Sequence, residues 1–136
     1  MKKRVLFLCT HNSARSQMAE GLLREMAGDQ FEAFSAGTEA TRVHPLAIAA
    51  MRDIGVDISS QRSKTLGELA GQHFDYVITV CDRANETCPL FPNGTQRIHW
   101  SFDDPSKATG TDEERLSAFR SVRDGIQQRL RMFLID

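Results

Sequence analysis

The sequence predicts an α/β fold, a three-layer sandwich with a central four-stranded parallel sheet flanked by helices. Two observations carry this. Short runs of apolar, β-branched and aromatic residues, the composition of strands buried on both faces, recur four times. Segments with apolar residues three and four apart alternate with them, and strands alternating with helices imply a parallel sheet covered on both sides. The chain has 136 residues, 40% of them hydrophobic. That is enough for one core and too short for two, so residues 1–136 are expected to form a single domain.

Lys3 to Leu8 is the first strand, and the polar run Cys9 to Ser13 ends it. A helical pattern begins near Arg15, with Met18, Leu22 and Met26 on one face, and Gly28-Asp29 closes it. Phe31 to Ser35 is the second strand, followed by Ala36-Gly37. Proline suits the first helical turn, so His44-Pro45 opens a second helix that carries Ala47, Ile48, Met51 and Ile54, with Gly55 beyond its end. Ser63 to Gly71 predicts a short helix, because Thr65 and Glu68 have capping-box spacing. Phe74 to Val80 is the third strand, with Cys81 at its C-terminal end. Cys88-Pro89 through Asn93-Gly94 is rich in turn residues, and Gln96 to Trp100 is the fourth strand. In the last helix Thr111 and Glu114 form a capping box, and Leu116, Phe119, Val122, Ile126, Leu130 and Phe133 repeat at helical spacing.

Composition narrows the functions available. With 17 basic and 18 acidic residues and a net charge of −1, nothing suggests nucleic acid or an acidic membrane surface as partner. Aromatic content of 7% beside the apolar content excludes a disordered chain. No apolar run approaches the roughly 20 residues of a membrane span. The basic start Met1-Lys2-Lys3-Arg4 resembles a signal peptide, but Val5 to Leu8 is about half the minimum apolar length for one. A cytoplasmic monomer is therefore expected. The odd cysteine count, Cys9, Cys81 and Cys88, is no disulfide framework, and a reducing cytosol keeps such thiols free. Asn85-Glu86-Thr87 and Asn93-Gly94-Thr95 then read as turn residues rather than glycosylation sites.

Ligands of parallel sheets bind beyond the C-terminal ends of the strands, where Cys9 and Cys81 both fall. Cys9-Thr10-His11-Asn12-Ser13-Ala14-Arg15 sets a cysteine and an arginine across a strand-to-helix junction. A loop wrapping into a helix N-terminus turns backbone N–H groups inward, where they and the helix dipole favour an anion. The same field is expected to stabilise the Cys9 thiolate and lower its pKa. Arg15 offers a planar fork to two oxygens of a tetrahedral anion. Asn12 tolerates left-handed backbone, and Ser16 can donate to the thiolate. The bland alternative is a buried cysteine and a solvated arginine; the small polar residues between them, at this junction, favour the anion site. His11 either tunes the thiolate or faces solvent.

Cys81 and Cys88 are separated by six residues. If the segment between them is helical, their Cα atoms lie about 10 Å apart, whereas a disulfide needs about 4.4–6.8 Å. Bonding them requires the segment to unwind, which Asp82, Asn85 and Thr87, poor helix formers, make inexpensive. Two packed thiols or half a metal site are the alternatives. A zinc site needs four ligands, and His73 and His99 lack a matching spacing, so no metal is expected. Asp103-Asp104-Pro105 is either an ordinary turn or the source of a general acid for a departing oxygen.

Cys9 to Glu20, Cys-Thr-His-Asn-Ser-Ala-Arg-Ser-Gln-Met-Ala-Glu, resembles the phosphate-binding loop of the low-molecular-weight protein tyrosine phosphatase fold. With the continuing Gly21 and paired cysteines downstream, the chain is similar to the thioredoxin-coupled arsenate reductases. The similarity runs through Ser35-Ala36-Gly37, Arg42-Val43-His44-Pro45, Asp57-Ile58-Ser59, Cys81 to Pro89 and His99 to Pro105. It implies that Thr10, His11, Asn12, Ser13, Ala14, Arg15 and Ser16 bind the oxyanion, arsenate, with phosphate or sulfate as mimics. It implies a relay as well. Cys9 attacks arsenate, Cys81 resolves the adduct into a Cys9–Cys81 disulfide, and Cys88 takes over Cys81. External thioredoxin then reduces the Cys81–Cys88 bond, with glutaredoxin or mycothiol as other possible routes and no tightly bound cofactor. The family's acid precedes proline, which selects Asp104 and leaves Asp103 structural.

Two departures stand out. Phosphatases of this fold usually place an aromatic residue after the Asp-Pro pair, where this chain has Ser106, and its only tyrosine, Tyr76, lies in a strand. Some reductases bind potassium near the cradle; Asn12, Glu20 and Ser35 match that pattern, but Lys64 stands where an acidic residue would help. A lysine ammonium can replace the ion, so no potassium requirement is expected. Two other functions compete: a phosphoester phosphatase using Cys9, Arg15 and Asp104 without the cysteine pair, and a non-enzymatic thiol sensor using the pair without Arg15.

Overall fold

In the computed structural model, residues 2–81 and 94–135 are described. Four strands, β1 (Lys3–Cys9), β2 (Phe31–Gly37), β3 (Tyr76–Thr79) and β4 (Gln96–His99), form one parallel sheet in the order β2-β1-β3-β4. Among the described residues three helices flank it: α1 (Arg15–Ala27), α2 (Pro45–Arg52) and α3 (Asp112–Ile135). The α/β class and the parallel sheet are as expected. The strand order reverses direction at β1, so the crevice between the C-terminal ends of β1 and β3 is the topological switch point. Cys9 ends β1, and Cys81 lies two residues beyond β3.

The strand sequences explain the burial. Val5, Leu6 and Phe7 are fully buried and Leu8 nearly so, as a strand covered on both faces requires. From α1, Met18, Leu22 and Leu23 pack into the same core, and from α3 come Phe119, Ile126 and Leu130. The capping box of α3 forms: the Glu114 N–H donates to Thr111 Oγ1 at 3.1 Å and the Thr111 N–H to Glu114 Oε1 at 3.2 Å. Arg123, buried in α3, donates to the Ala50 carbonyl at 2.7 Å and fastens α3 to the end of α2.

One element is shorter than expected. Between Ser63 and Gly71 only Leu66–Leu69 coils, as a 3₁₀ turn. Its approach is committed elsewhere. Gly37 N–H donates to the Lys64 carbonyl at 2.9 Å, and Thr65 bridges to Gly37, so the chain runs extended beside β2 until Thr65. Phe74 and Val80 also fall just outside β3, and Trp100 just outside β4. The segment from Asp82 to Asn93 lies outside the described residues, and with it Cys88, both sequons' asparagines and the expected helix-to-loop conversion.

Candidate functional site

The cradle is built from the backbone outward. Asn12 takes a φ of +50°, the left-handed conformation its residue type tolerates. Its side chain is fully buried and spans the loop: Nδ2 donates to Ser16 Oγ at 2.8 Å, while Oδ1 accepts from Gln17 Nε2 at 2.8 Å and from the Lys64 N–H at 2.9 Å. Gly37 forms the floor. A Cβ there would stand 2.7 Å from the Thr10 carbonyl and 2.8 Å from the Asn12 nitrogen, so only glycine lets β2 pass this close. The Ser13 carbonyl is held by the His44 N–H at 2.9 Å, which ties the loop to the start of α2.

Ala14 stands at the N-cap of α1 without a capping side chain. A helix start needs acceptors for its free N–H groups, and here the Ser16 N–H turns to the Cys9 sulfur. Ser16 was expected to reach the thiolate by its hydroxyl; it does so by its backbone, its Oγ accepting from Asn12. Arg15 lies at the same end, nine-tenths buried, with Nη1 donating to the Phe102 carbonyl at 3.1 Å and Nη2 3.7 Å from Asp104 Oδ2. A cavity of about 70 Å³ lies between Cys9, Arg15 and Asp104. That is far below the roughly 300–1,000 Å³ of sites for drug-sized ligands, and it suits a small anion. A wider cleft of about 670 Å³, reached by Arg15, Asp104 and Cys81, opens beside it.

Neither Cys9 nor Cys81 is in a disulfide; both are buried, and they meet. The hydrogen bond between Cys9 and Cys81, then burial, push the Cys9 thiol well above the ordinary value, against the pull of Arg15 and the Ser16 N–H. This reverses the expected direction. The cradle does lower the thiol, but a second thiol in contact outweighs it. Thr10 Oγ1 lies 3.3 Å from the Cys81 sulfur and places it against Cys9.

Asp104 is at once a turn residue and a site residue. Its Oδ1 caps the Pro105–Lys107 turn, accepting from the Ser106 N–H at 3.0 Å and Ser106 Oγ at 2.7 Å. Burial pushes its carboxyl up, but the two Ser106 bonds, Arg15 and Lys107 together bring it below the usual carboxylate value. In the resting site it is ionised at neutral pH. Asp103 is exposed on the wall of the cleft. His11, its side chain half exposed, lines both cavities, with Nε2 3.2 Å from Glu39 Oε2.

Beneath the cradle Glu20, 6% exposed, accepts from Ser35 Oγ at 2.6 Å and Arg24 at 2.5 Å, and Lys64 Nζ lies 3.9 Å away. Burial lowers the Lys64 pKa, with Glu20 opposing it. Sequence reasoning assigned no role to Gln17, Ser106 or the Phe102 carbonyl. Gln17 sits inside a quoted motif and could have been suspected, being a polar residue on a helix packed inward. Nothing local marks the other two.

The low molecular weight phosphotyrosine protein phosphatase family matches residues 4–136. An arsenate reductase of Halalkalibacterium halodurans is 50% identical over 132 residues, 97% of this chain and 95% of the relative. A solved arsenate reductase in its phosphate-binding state superposes with a TM-score of 0.78 at 34% identity, covering 98% of this chain and 97% of the other. The thioredoxin-dependent arsenate reductase of Corynebacterium glutamicum has a TM-score of 0.73 at 29% identity, covering 98% of this chain and 63% of that one.

Proposed function

The chain belongs to the low molecular weight phosphotyrosine protein phosphatase family, and within it we propose that this protein reduces arsenate to arsenite by a relay of its own thiols. One observation carries this reading: Cys9 and Cys81 are in hydrogen-bond contact at the oxyanion cradle. Hydrolysis of a phosphoester needs one nucleophilic thiol; a reduction that ends in a disulfide needs two within reach.

The steps proposed are those that the family resemblance implies, with the groups around Cys9 in their roles. Arsenate enters the cradle, where Arg15 and the α1 N–H groups hold its oxygens. Cys9 attacks arsenic as the thiolate, its proton having passed to solvent. The incoming negative charge beside Asp104 favours its protonated form, and that proton leaves with the departing oxygen as water. Cys81, as thiolate, then attacks the Cys9 sulfur; the S–As bond breaks and its electron pair stays on arsenic, which leaves as arsenite. The two sulfurs have lost two electrons and form the Cys9–Cys81 disulfide. Cys88 attacks Cys81 and frees Cys9, and thioredoxin's dithiol returns two electrons to the Cys81–Cys88 bond.

Thr10, His11, Asn12, Ser13, Ala14 and Ser16 shape the cradle in this scheme, and phosphate or sulfate compete for it. The Glu20 carboxylate faces Arg24 and Lys64, so we assign no role to potassium. The chain acts as a cytoplasmic monomer, in a compartment that keeps its thiols reduced; no described helix is long and apolar enough to cross a membrane. Arsenate-dependent NADPH oxidation with thioredoxin and thioredoxin reductase tests the proposal. Turnover that disappears with Cys9→Ser, Cys81→Ser or Cys88→Ser supports it. Phosphoester hydrolysis that needs Cys9 alone, with no arsenate reduction, replaces it by a phosphatase.

A further inference from the structure

Arg15 draws its orientation from one loop. Its Nη1 donates to the Phe102 carbonyl at 3.1 Å, and its Nη2 faces Asp104 from the same loop. That loop leaves the sheet at Trp100, 5% exposed, whose N–H donates to the Thr79 carbonyl at 2.8 Å, and it ends at buried Pro105. Between these anchors Ser101 and Asp103 are exposed, and Phe102 alone packs on the core. The ring meets α3 at Gly125, a position where the helix has no side chain. A Cβ built there would lie 3.5 Å and 3.8 Å from the ring, ordinary contact, so alanine fits, whereas a longer side chain displaces the ring.

We propose that Phe102 is a positioning residue for Arg15: its ring, seated on Gly125 of α3, fixes the carbonyl that aims the guanidinium at the oxyanion cradle. An arginine fork rewards alignment, since two parallel N–H bonds to one anion form only in a narrow range of orientations. A side chain with four rotatable bonds does not hold that range without an external acceptor. The inference deepens the assignment of Arg15 as oxyanion ligand and rests on it.

The test is calorimetric binding of inorganic phosphate to the whole protein. Phe102→Ala weakens phosphate about tenfold, the loss of one aligned charge-assisted hydrogen bond, and Phe102→Leu, which keeps an apolar plug on Gly125, binds within about threefold of wild type. In an Arg15→Lys background Phe102→Ala adds nothing, because the coupled partner has gone. Should Phe102→Ala fail to fold, Gly125→Leu displaces the ring from the other side, with the same expected loss. The inference is overturned if Phe102→Ala leaves affinity unchanged, or if its effect is the same in both backgrounds. If Arg15→Lys itself leaves phosphate binding intact, the oxyanion assignment fails, and that failure is visible separately.

Discussion

The two loops that meet at Arg15 are built on opposite plans. The cradle, residues 9–15, is held from inside: Asn12 and Gln17 are fully buried and bond the loop to α1 and to the chain at Arg62 and Lys64. The second loop has buried ends at Trp100 and Pro105, but no residue from 101 to 104 is buried; it is shaped by two bonds between Ser106 and Asp104 and by a ring resting on α3. Cradle residues should therefore carry folding stability together with function, whereas those of the second loop carry function with little stability. Division of this kind lets the Asp104 carboxylate sit close to the Arg15 guanidinium without the desolvation cost of full burial.

The largest expected effect lies where both loops converge. Arg15→Ala should lower kcat/KM for arsenate about 10³-fold, the scale of losing a preorganised oxyanion ligand. Steady-state kinetics would show it, and a sensor that needs only its thiols would be unaffected. Asn12→Ala should destabilise the fold by about 3 kcal/mol, through buried partners left unpaired and an alanine forced to positive φ. Thermal unfolding should register a fall of about 10 °C; a neutral result would erase the contrast between the loops. Asp104→Asn should cost about 10²-fold in kcat while leaving the melting temperature almost unmoved, since asparagine caps the turn as well.

Smaller effects concern titration. Asp104 has a folded pKa below its unfolded one, so its stabilisation is present above the unfolded value and is lost as pH falls through the folded one. Asp104→Asn should therefore flatten part of the acid limb of a stability profile below about pH 4. Cys9 runs the other way. Its folded pKa is raised, first by the bond to Cys81, so its contribution is intact below the ordinary thiol pKa and is lost as pH rises toward the folded value. Cys81→Ala should move the Cys9 titration downward, seen in thiolate absorbance or alkylation rate against pH; an upward move would contradict the pairing. Smallest of all, exchanging potassium for sodium at equal ionic strength should leave turnover unchanged, whereas strong activation by potassium would end the substitution by Lys64.

The same contrast explains what could be read from the chain alone. The cradle is local: Cys9, Asn12 and Arg15 lie within seven residues at a strand-to-helix junction, and the backbone chemistry of each residue type points to the geometry found. Cys81 was placed near Cys9 by topology, since both strands end at one edge of a parallel sheet. Their contact itself, and the upward shift it imposes on Cys9, depend on a sulfur-to-sulfur approach that no spacing encodes. The second loop's parts were invisible for a different reason. A backbone carbonyl such as that of Phe102 has no residue-type signature, and Ser106 acquires its role only by folding back on Asp104. The helix expected over Ser63–Gly71 shortens to Leu66–Leu69, its Thr65–Glu68 capping box formed as read, because Lys64 and Thr65 are held extended beside Gly37.

The central claim, that two thiols at one cradle turn an anion site into a reductase, is tested most directly by a single turnover. Cys88→Ser protein, fully reduced, is mixed with arsenate without thioredoxin and analysed by peptide mass mapping. The relay predicts one arsenite released per chain and a Cys9–Cys81 disulfide, with Arg15→Ala suppressing both. Cys9 and Cys81 recovered as free thiols, with arsenate unchanged, would contradict it.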